Sequence, residues 1–500
     1  MKKIINIIAF LLLLVILVSC NEKPIQEDKT IYPVSSYEET LEITMGDVMP
    51  FYDNGVMNIY HLQNSRGSNS MFYHPISRLT TSDYINYKDE GIAINFEEEY
   101  SSPDAAIGTG SFIKDSEGLY HCFYTGHNAA TDTGLPYVEV IRHATSLDQV
   151  IWTKDEEFNL YGKYNDFRDP YVYFDELDQM YYMLVTTRDI NYDGYETGVI
   201  KRYSSESLYG DDSTWKDAGV FFWNDNGTYN MECPSYVEYN GYYYLVYSEQ
   251  GDNRVTHYRY KTSSTGEWKR FERDSIDASG FYAGQIEKAD GQLYAFAWCA
   301  SLTGGFVGDF DWGGNLVCHK LIQSSNGELN AVIIDSILNS FDEEIEYLDI
   351  RNNKLENIVF EGDNFESICV KKLSKNATLL TFSFNVSNYN GDFGITFNTK
   401  KKDNRLGSAL IAFDVKNSQI ACYNNVSNII RYGNVLASIP FVFNRDKNYK
   451  VNLLIENDIM TVYFDDSIAM TVRLPGVGNK NFAFYSNGIK VVIDEVKFYE

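Results

Sequence analysis

Residues 239–249, Tyr-Asn-Gly followed by Tyr-Tyr-Tyr-Leu-Val-Tyr-Ser-Glu, decide how the chain is organised. An Asn-Gly pair accepts the left-handed backbone of a tight hairpin turn, and the run after it is rich in the aromatic residues that strands favour. The same shape recurs four more times. Asp53-Asn54-Gly55 precedes Val56 to Leu62, Ser116-Glu117-Gly118 precedes Leu119 to Gly126, Leu177-Asp178-Gln179 precedes Met180 to Thr187, and Ala289-Asp290-Gly291 precedes Gln292 to Cys299. Successive turns lie 63, 61, 62 and 50 residues apart. A second echo follows the first four: His74 to Ser77 before Tyr87, His143 to Ser146 before Trp152, Arg202 to Ser204 before Trp215, and Arg259 to Thr262 before Trp268. Asn315 to Gln323 closes the fifth unit. A unit of antiparallel strands repeated five times without linkers predicts a five-bladed β-propeller rather than an array of sandwiches.

Beyond Leu355 strand-like runs continue without a sixty-residue period, and alternation with turns such as Asn487-Gly488 predicts a β-sandwich of about 145 residues. The expected organisation is therefore all-β, with a propeller over 37–335, a link over 336–354 and a sandwich over 355–500. Composition agrees: 44% of the 500 residues are hydrophobic and 15% aromatic, enough for two cores.

The net charge of −28, from 42 basic and 70 acidic residues, excludes nucleic acid and polyanionic glycans as partners. A neutral oligo- or polysaccharide fits, because aromatic faces can stack on sugar rings. At the N-terminus Lys2 and Lys3 precede the apolar run Ile4 to Val18, and Leu17-Val18-Ser19-Cys20 reads as a lipobox. Residues 1–20 are expected to be a lipoprotein signal peptide, Cys20 the lipid-bearing residue, and 21–36 a polar tether. The protein would then be a membrane-anchored lipoprotein facing the periplasm or the cell surface. The six later cysteines show neither CxxC spacing nor a dense pattern, which argues against a disulfide framework or a zinc site.

The repeat also makes positions comparable between units. Asp47 lies eight residues before Gly55, Asp169 ten before Gln179 and Glu232 nine before Gly241. The strand before each hairpin is the innermost of a blade, so these carboxylates should converge at one end of the central axis. The matching slot is Gly110-Ser111 in the second unit and near Tyr282 in the fifth. Paired carboxylates at a sugar-sized opening are the equipment of glycoside hydrolysis, one attacking and the other donating a proton.

At these residues the chain resembles glycoside hydrolase family 32, the β-fructosidases (invertases, inulinases and levanases), as a divergent member. Arg168-Asp169-Pro170 resembles the family's RDP motif and Glu232-Cys233 its EC motif. Ile107 to Ser111, Phe72-Tyr73-His74 and Phe281-Tyr282-Ala283 resemble three further segments. The resemblance implies a propeller followed by a sandwich and a retaining hydrolase of fructosyl linkages. It implies Asp47 as nucleophile, Glu232 as acid and base, and Asp169, held by Arg168, as the residue that binds the fructosyl hydroxyls. Arg168, Phe72, His74, Ser111, Tyr282 and Trp298 are expected to bind substrate. No metal or cofactor is required, since two carboxylates carry the whole reaction. Two departures bear on the substrate: Gly46-Asp47-Val48-Met49-Pro50 lacks the usual Trp-Met lead, and Gly280 stands where an Asp often precedes the third segment. A family 43-like arabinosyl or xylosyl hydrolase and a non-catalytic glycan-binding lipoprotein are the alternatives.

Other signals are read as structural. Asp189 to Gly194 matches half of a calcium loop but is expected to be a hairpin. His143, Trp152 and Trp215 are expected to pack between strands, and Trp312 to lie in a loop capping the opening.

Overall fold

The computed structural model describes residues 30–500 except 39–40, 66–73, 131, 226, 251–253, 303–309, 363, 371–376, 389, 400–405, 425, 427–432, 446, 475–476 and 478–480. The expected signal peptide with Cys20, most of the tether, and Phe72 lie outside the described residues. Among the described residues no helix is long and apolar enough to cross a membrane.

Each of the five turns closes a hairpin. Asn54-Gly55, Asn240-Gly241 and Asp290-Gly291 have positive φ at both residues (51° and 84°, 48° and 79°, 48° and 77°), the conformation whose twist matches the flanking strands. The first unit contains Leu41–Asp53, Val56–Ser65, Ile76–Thr81 and Lys88–Ile94. The second contains Ala106–Lys114, Tyr120–His127, Glu139–Ser146 and Thr153–Lys154, and the third Phe167–Asp175, Met180–Ile190, Glu196–Ser205 and Lys216–Trp223. Asn230–Tyr239, Tyr242–Gln250 and Thr256–Lys261 form the fourth, and Tyr282–Ala289, Gln292–Leu302, Phe310–Gln323 and Leu329–Val332 the fifth. The first strand of each unit lies against the first strand of the next, and that of the fifth against that of the first. The five leading strands thus surround one axis. The fifth and first units are not separate sheets: Gly314 pairs with Met45 and joins them into one nine-stranded sheet.

Side chains and backbone lock the leading strands together. The Ser111 hydroxyl accepts from the Val172 N–H at 2.9 Å, that of Ser235 from Ile286 N–H at 3.1 Å, and the Met49 sulfur from Gly110 N–H at 3.1 Å. Among the described residues the six cysteines form no disulfide, and all six are buried. Trp215 is buried and Trp152 packs edge-on against Tyr60 and Phe112.

The C-terminal part is two stacked antiparallel sheets of seven and six strands, filled by Phe382, Phe384, Phe393, Phe413, Phe464 and Phe484. The expected link is partly structural: Asp335–Asn339 is a short helix and Glu344–Ile345 pairs with Val491–Tyr499 in the larger sheet. The expected tether also ends early. Ile31 and Tyr32 are buried, the Glu456 carboxylate accepts both their N–H groups, and Ser35–Glu38 pairs with Leu41–Asp53. An apolar pair with its donors satisfied buries more favourably than it hydrates.

The sandwich grips the fifth unit through buried polar groups. Asp277 accepts from Thr471 N–H at 2.8 Å and Thr471 Oγ1 at 2.6 Å and pairs with His319 at 2.8 Å, whose other nitrogen meets Tyr463 at 3.1 Å. Gly280 explains one departure of the sequence: a Cβ there would stand 2.1 Å from the Thr471 carbonyl oxygen. A side chain at this place would force the Thr471 backbone to shift. Gly280→Ala is therefore expected to destabilise the protein by about 1–3 kcal/mol through overpacking against backbone, read as a lower urea midpoint.

Candidate active site

Every leading strand carries a β-bulge at the same height. The register shifts between Gly46 and Val48, Gly108 and Gly110, Arg168 and Tyr171, Glu232 and Ser235, and Tyr282 and Gln285. The extra residues include Asp47, Asp169, Cys233 and Ala283, all with positive φ (33°, 56°, 54° and 52°). Such backbone is uncommon outside glycine and concentrates where a fold aims side chains.

The bulges create two adjacent levels of side chains around the axis. At one level Asp47 Oδ2 accepts from Thr109 Oγ1 at 2.9 Å and Oδ1 from the Trp298 indole N–H at 3.1 Å. Thr109 also lies 3.7 Å from the Cys233 sulfur, and Cys233 N–H donates to Asp169 Oδ2 at 2.9 Å. The residues immediately before the bulges make the second level. Glu232 Oε1 accepts from Arg168 Nη2 at 3.0 Å and Oε2 from the Tyr282 hydroxyl at 2.6 Å. Arg168 is in turn held by Asp166 at 2.8 Å and Glu139 at 3.2 Å. The Glu232 side chain keeps 17% exposure against 5% for Asp169, so Glu232 faces the opening.

The structure thus brings Asp47, Asp169, Glu232, Arg168 and Tyr282 together, and places several expected residues differently. Ser111 spends its hydroxyl on Val172, and the second unit's contribution is Thr109, two residues earlier. Counting from the hairpin cannot see a bulge, and Gly108-Thr109-Gly110 was its one local sign. Trp298 is 1% exposed and acts as a hydrogen-bond donor to Asp47 rather than as a wall for a sugar. Arg168 approaches Asp169 only at 3.9 Å; its short contacts go to Glu232, Asp166 and Glu139, while the Cys233 amide holds Asp169. His74 contacts the Gln63 carbonyl at 3.2 Å and stacks on Trp312 with centroids 4.3 Å apart. Trp312 covers Gly46, where a Cβ would come within 2.2 Å of the indole. The residue preceding Asp47 is therefore small because an indole from the fifth unit occupies that space. The 189–194 segment is a hairpin tip, with Asn191 Oδ1 accepting from Asp193 and Tyr195 N–H groups. Among the described residues no group of His, Cys, Asp and Glu is placed to hold a metal ion.

Crowding and burial set the electrostatics. Burial, then the charge of Glu232, pushes Asp47 up to about 6 from an ordinary 3.8. Burial pushes Asp169 to about 7; Arg168 opposes this, while Glu232 and Asp47 add to it. Burial and Glu232 push the Tyr282 phenol far up, so it remains a donor.

The matching family model is the glycosyl hydrolases family 32 N-terminal domain, over residues 48–330. A levanbiose-producing levanase of Geobacillus stearothermophilus is 26% identical over 278 residues, covering 51% of this chain and 60% of that protein. A levanase of the same description from Bacillus subtilis is 26% identical over 278 residues, 51% of this chain and 46% of its own length. The chain thus aligns with only about half to three-fifths of these relatives. A solved sucrose-6-phosphate hydrolase from Lactobacillus gasseri superposes with a TM-score of 0.70 at 18% identity, covering 96% of this chain and 93% of that one, which shows a common fold.

The two raised aspartates predict how stability depends on pH. A carboxyl with a raised folded value takes up protons on folding, so stability falls as pH rises from about 4 through 6–7. Asp47→Asn and Asp169→Asn are each expected to stabilise the protein at pH 8 by on the order of 1–3 kcal/mol, with the gain vanishing near pH 4. Urea unfolding at both pH values measures this; a gain that is the same at pH 4 contradicts it.

Proposed function

The chain belongs to glycoside hydrolase family 32, and from that premise we propose that it hydrolyses fructosyl linkages of fructans, fructo-oligosaccharides or sucrose with retention of configuration. The observation that carries the reading is the pair Asp47 and Glu232: two carboxyls on adjacent levels around one axis, the charge of Glu232 close enough to raise Asp47, each held by different donors. Asp47 attacks the anomeric carbon and forms a fructosyl-enzyme. Thr109 and Trp298 donate to its two oxygens and fix their direction. Glu232, turned toward the opening by Arg168 and Tyr282, gives its proton to the leaving oxygen and then takes one from the water that releases fructose. Asp169, held by the Cys233 amide, accepts hydrogen bonds from sugar hydroxyls that tighten as positive charge develops on the ring. The acidic neighbourhood of Glu139, Asp166 and Glu232 favours a neutral sugar over a phosphorylated one.

The purified protein, given sucrose, inulin, levan and arabinan, is expected to release fructose or fructo-oligosaccharides. Asp47→Ala and Glu232→Ala should each lower kcat by about a thousandfold or more while binding persists. Because Asp47 must be ionised to attack, kcat/KM should fall as pH drops through about 6. Arabinose release alone, or binding without any turnover, would sink the proposal.

For location, the reading rests on sequence alone: the Leu17-Val18-Ser19-Cys20 lipobox supports lipid attachment at Cys20 and anchoring to a bacterial membrane. Cys20→Ala is expected to move the protein from the membrane to the soluble fraction; unchanged membrane fractionation would contradict lipidation there.

A further inference from the structure

The third unit and the segment leading from it into the fourth present large aromatic side chains to solvent at the end of the propeller where the carboxylates lie. Tyr192 is 103% exposed, Tyr195 71% and Tyr229 58%. Exposed aromatics gathered in one place call for an explanation. Their position follows from register. Arg168 pairs with Thr186, and the strand runs on four more residues to Ile190, about 13 Å farther at the usual rise per residue. Its direction is away from Gln179, the turn at the opposite end. The hairpin tip carrying Tyr192 and Tyr195 therefore stands beyond Arg168 and Glu232.

A continuous set of contacts links this tip to the acid. Arg168 joins Glu232 to Asp166, and Asp166 Oδ2 accepts from the Tyr229 hydroxyl at 3.3 Å. The Arg188 guanidinium lies 4.2 Å over the Tyr229 ring and is fixed by Glu196 at 2.5 Å, on the far arm of the hairpin. Gly198, without a Cβ, lets the Tyr229 carbonyl come against that same arm; a Cβ would stand 2.5 Å from its oxygen. The tip is ordered in advance: Asn191 bonds the Asp193 and Tyr195 N–H groups through its side chain, and its own N–H donates to the Tyr195 carbonyl at 2.8 Å. Tyr offers a broad face at small entropic cost, and a rigid tip lowers that cost further.

We propose that Tyr229, Tyr195 and Tyr192 form a path on the leaving-group side of the site, on which successive rings of a fructo-oligosaccharide or fructan stack. The assignment rests on the hydrolase reading, since Glu232 as proton donor fixes the side on which the leaving group departs. Its consequence is a preference for chains over sucrose, because a disaccharide ends before the hairpin tip.

The test compares the wild-type protein with the double variant Tyr192→Ala/Tyr195→Ala on sucrose and on inulin- and levan-type oligosaccharides of increasing length. The ratio of oligosaccharide to sucrose kcat/KM should rise with length in the wild type and drop about tenfold in the double variant. The same pair is placed in an Asp47→Asn background and the binding of long oligosaccharides is followed by calorimetry, which needs no turnover. Affinity weakened about tenfold by the two Tyr→Ala changes supports the path. An unchanged ratio and unchanged affinity overturn it, as does equal loss on sucrose and long chains. Absence of turnover on every fructoside by the wild type would instead overturn the hydrolase reading, and binding by the Asp47→Asn pair would still decide the path.

Discussion

Like charges repel most where water is scarce, and this molecule crowds three carboxylates, Asp169 the most buried of them, onto two adjacent levels around one axis. The five β-bulges make that possible. A regular strand would send alternate side chains to opposite faces, whereas an extra residue, with positive φ in four of the five strands, changes which residue faces the axis. Asp47 and Asp169 use this slot directly. Thr109 and Cys233 fill it in two other strands and supply a hydroxyl and an amide to the aspartates without adding charge. The cost of burial, with the crowding of like charges added to it, remains visible in the raised values of both aspartates. Stability is given up where the chemistry requires charge close to charge.

The sandwich bears on the same ring through the fifth unit. That unit provides Trp298 for Asp47 and Tyr282 for Glu232, one donor for each reacting carboxylate. Both donors lie next to backbone that the sandwich holds. Arg473 donates to the carbonyls of Ala300 and Cys299 at 2.6 and 3.2 Å, just after Trp298. Before Tyr282, Gly280 lies against Thr471 and Phe281 stacks on His319, itself paired with Asp277. Hydrogen bonds that orient a nucleophile are only as well placed as the strands that carry them, and here those strands are fixed from behind.

Local chemistry was legible in the sequence and register was not. The turns at Gly55, Gly241 and Gly291 were readable because residues in left-handed conformations are chosen locally. The carboxylates were found because the units repeat. Thr109 was missed in favour of Ser111 because a bulge shifts register without altering composition. The sequence points to substrate binding for Trp298 rather than to its bond with Asp47, because an indole's surroundings depend on strands far away in sequence. Ile31 and Tyr32 were assigned to a tether because the residues around them are polar, and the carboxylate that caps their amides, Glu456, belongs to the sandwich.

The same two slots explain why certain dipeptides stand out. Arg168-Asp169, Glu232-Cys233 and Tyr282-Ala283 are each a residue before a bulge followed by the bulged residue. The first member reaches one level of the site and the second member the other. Asp47 occupies the second slot and receives two neutral donors, while Glu232 occupies the first and receives a guanidinium and a phenol. Two carboxyls of similar intrinsic acidity thus acquire different surroundings from their place in the bulge. A nucleophile needs fixed direction, which the neutral donors to both its oxygens provide. The acid and base at the opening likewise has each of its two oxygens fixed, one by a guanidinium and the other by a phenol that remains a donor.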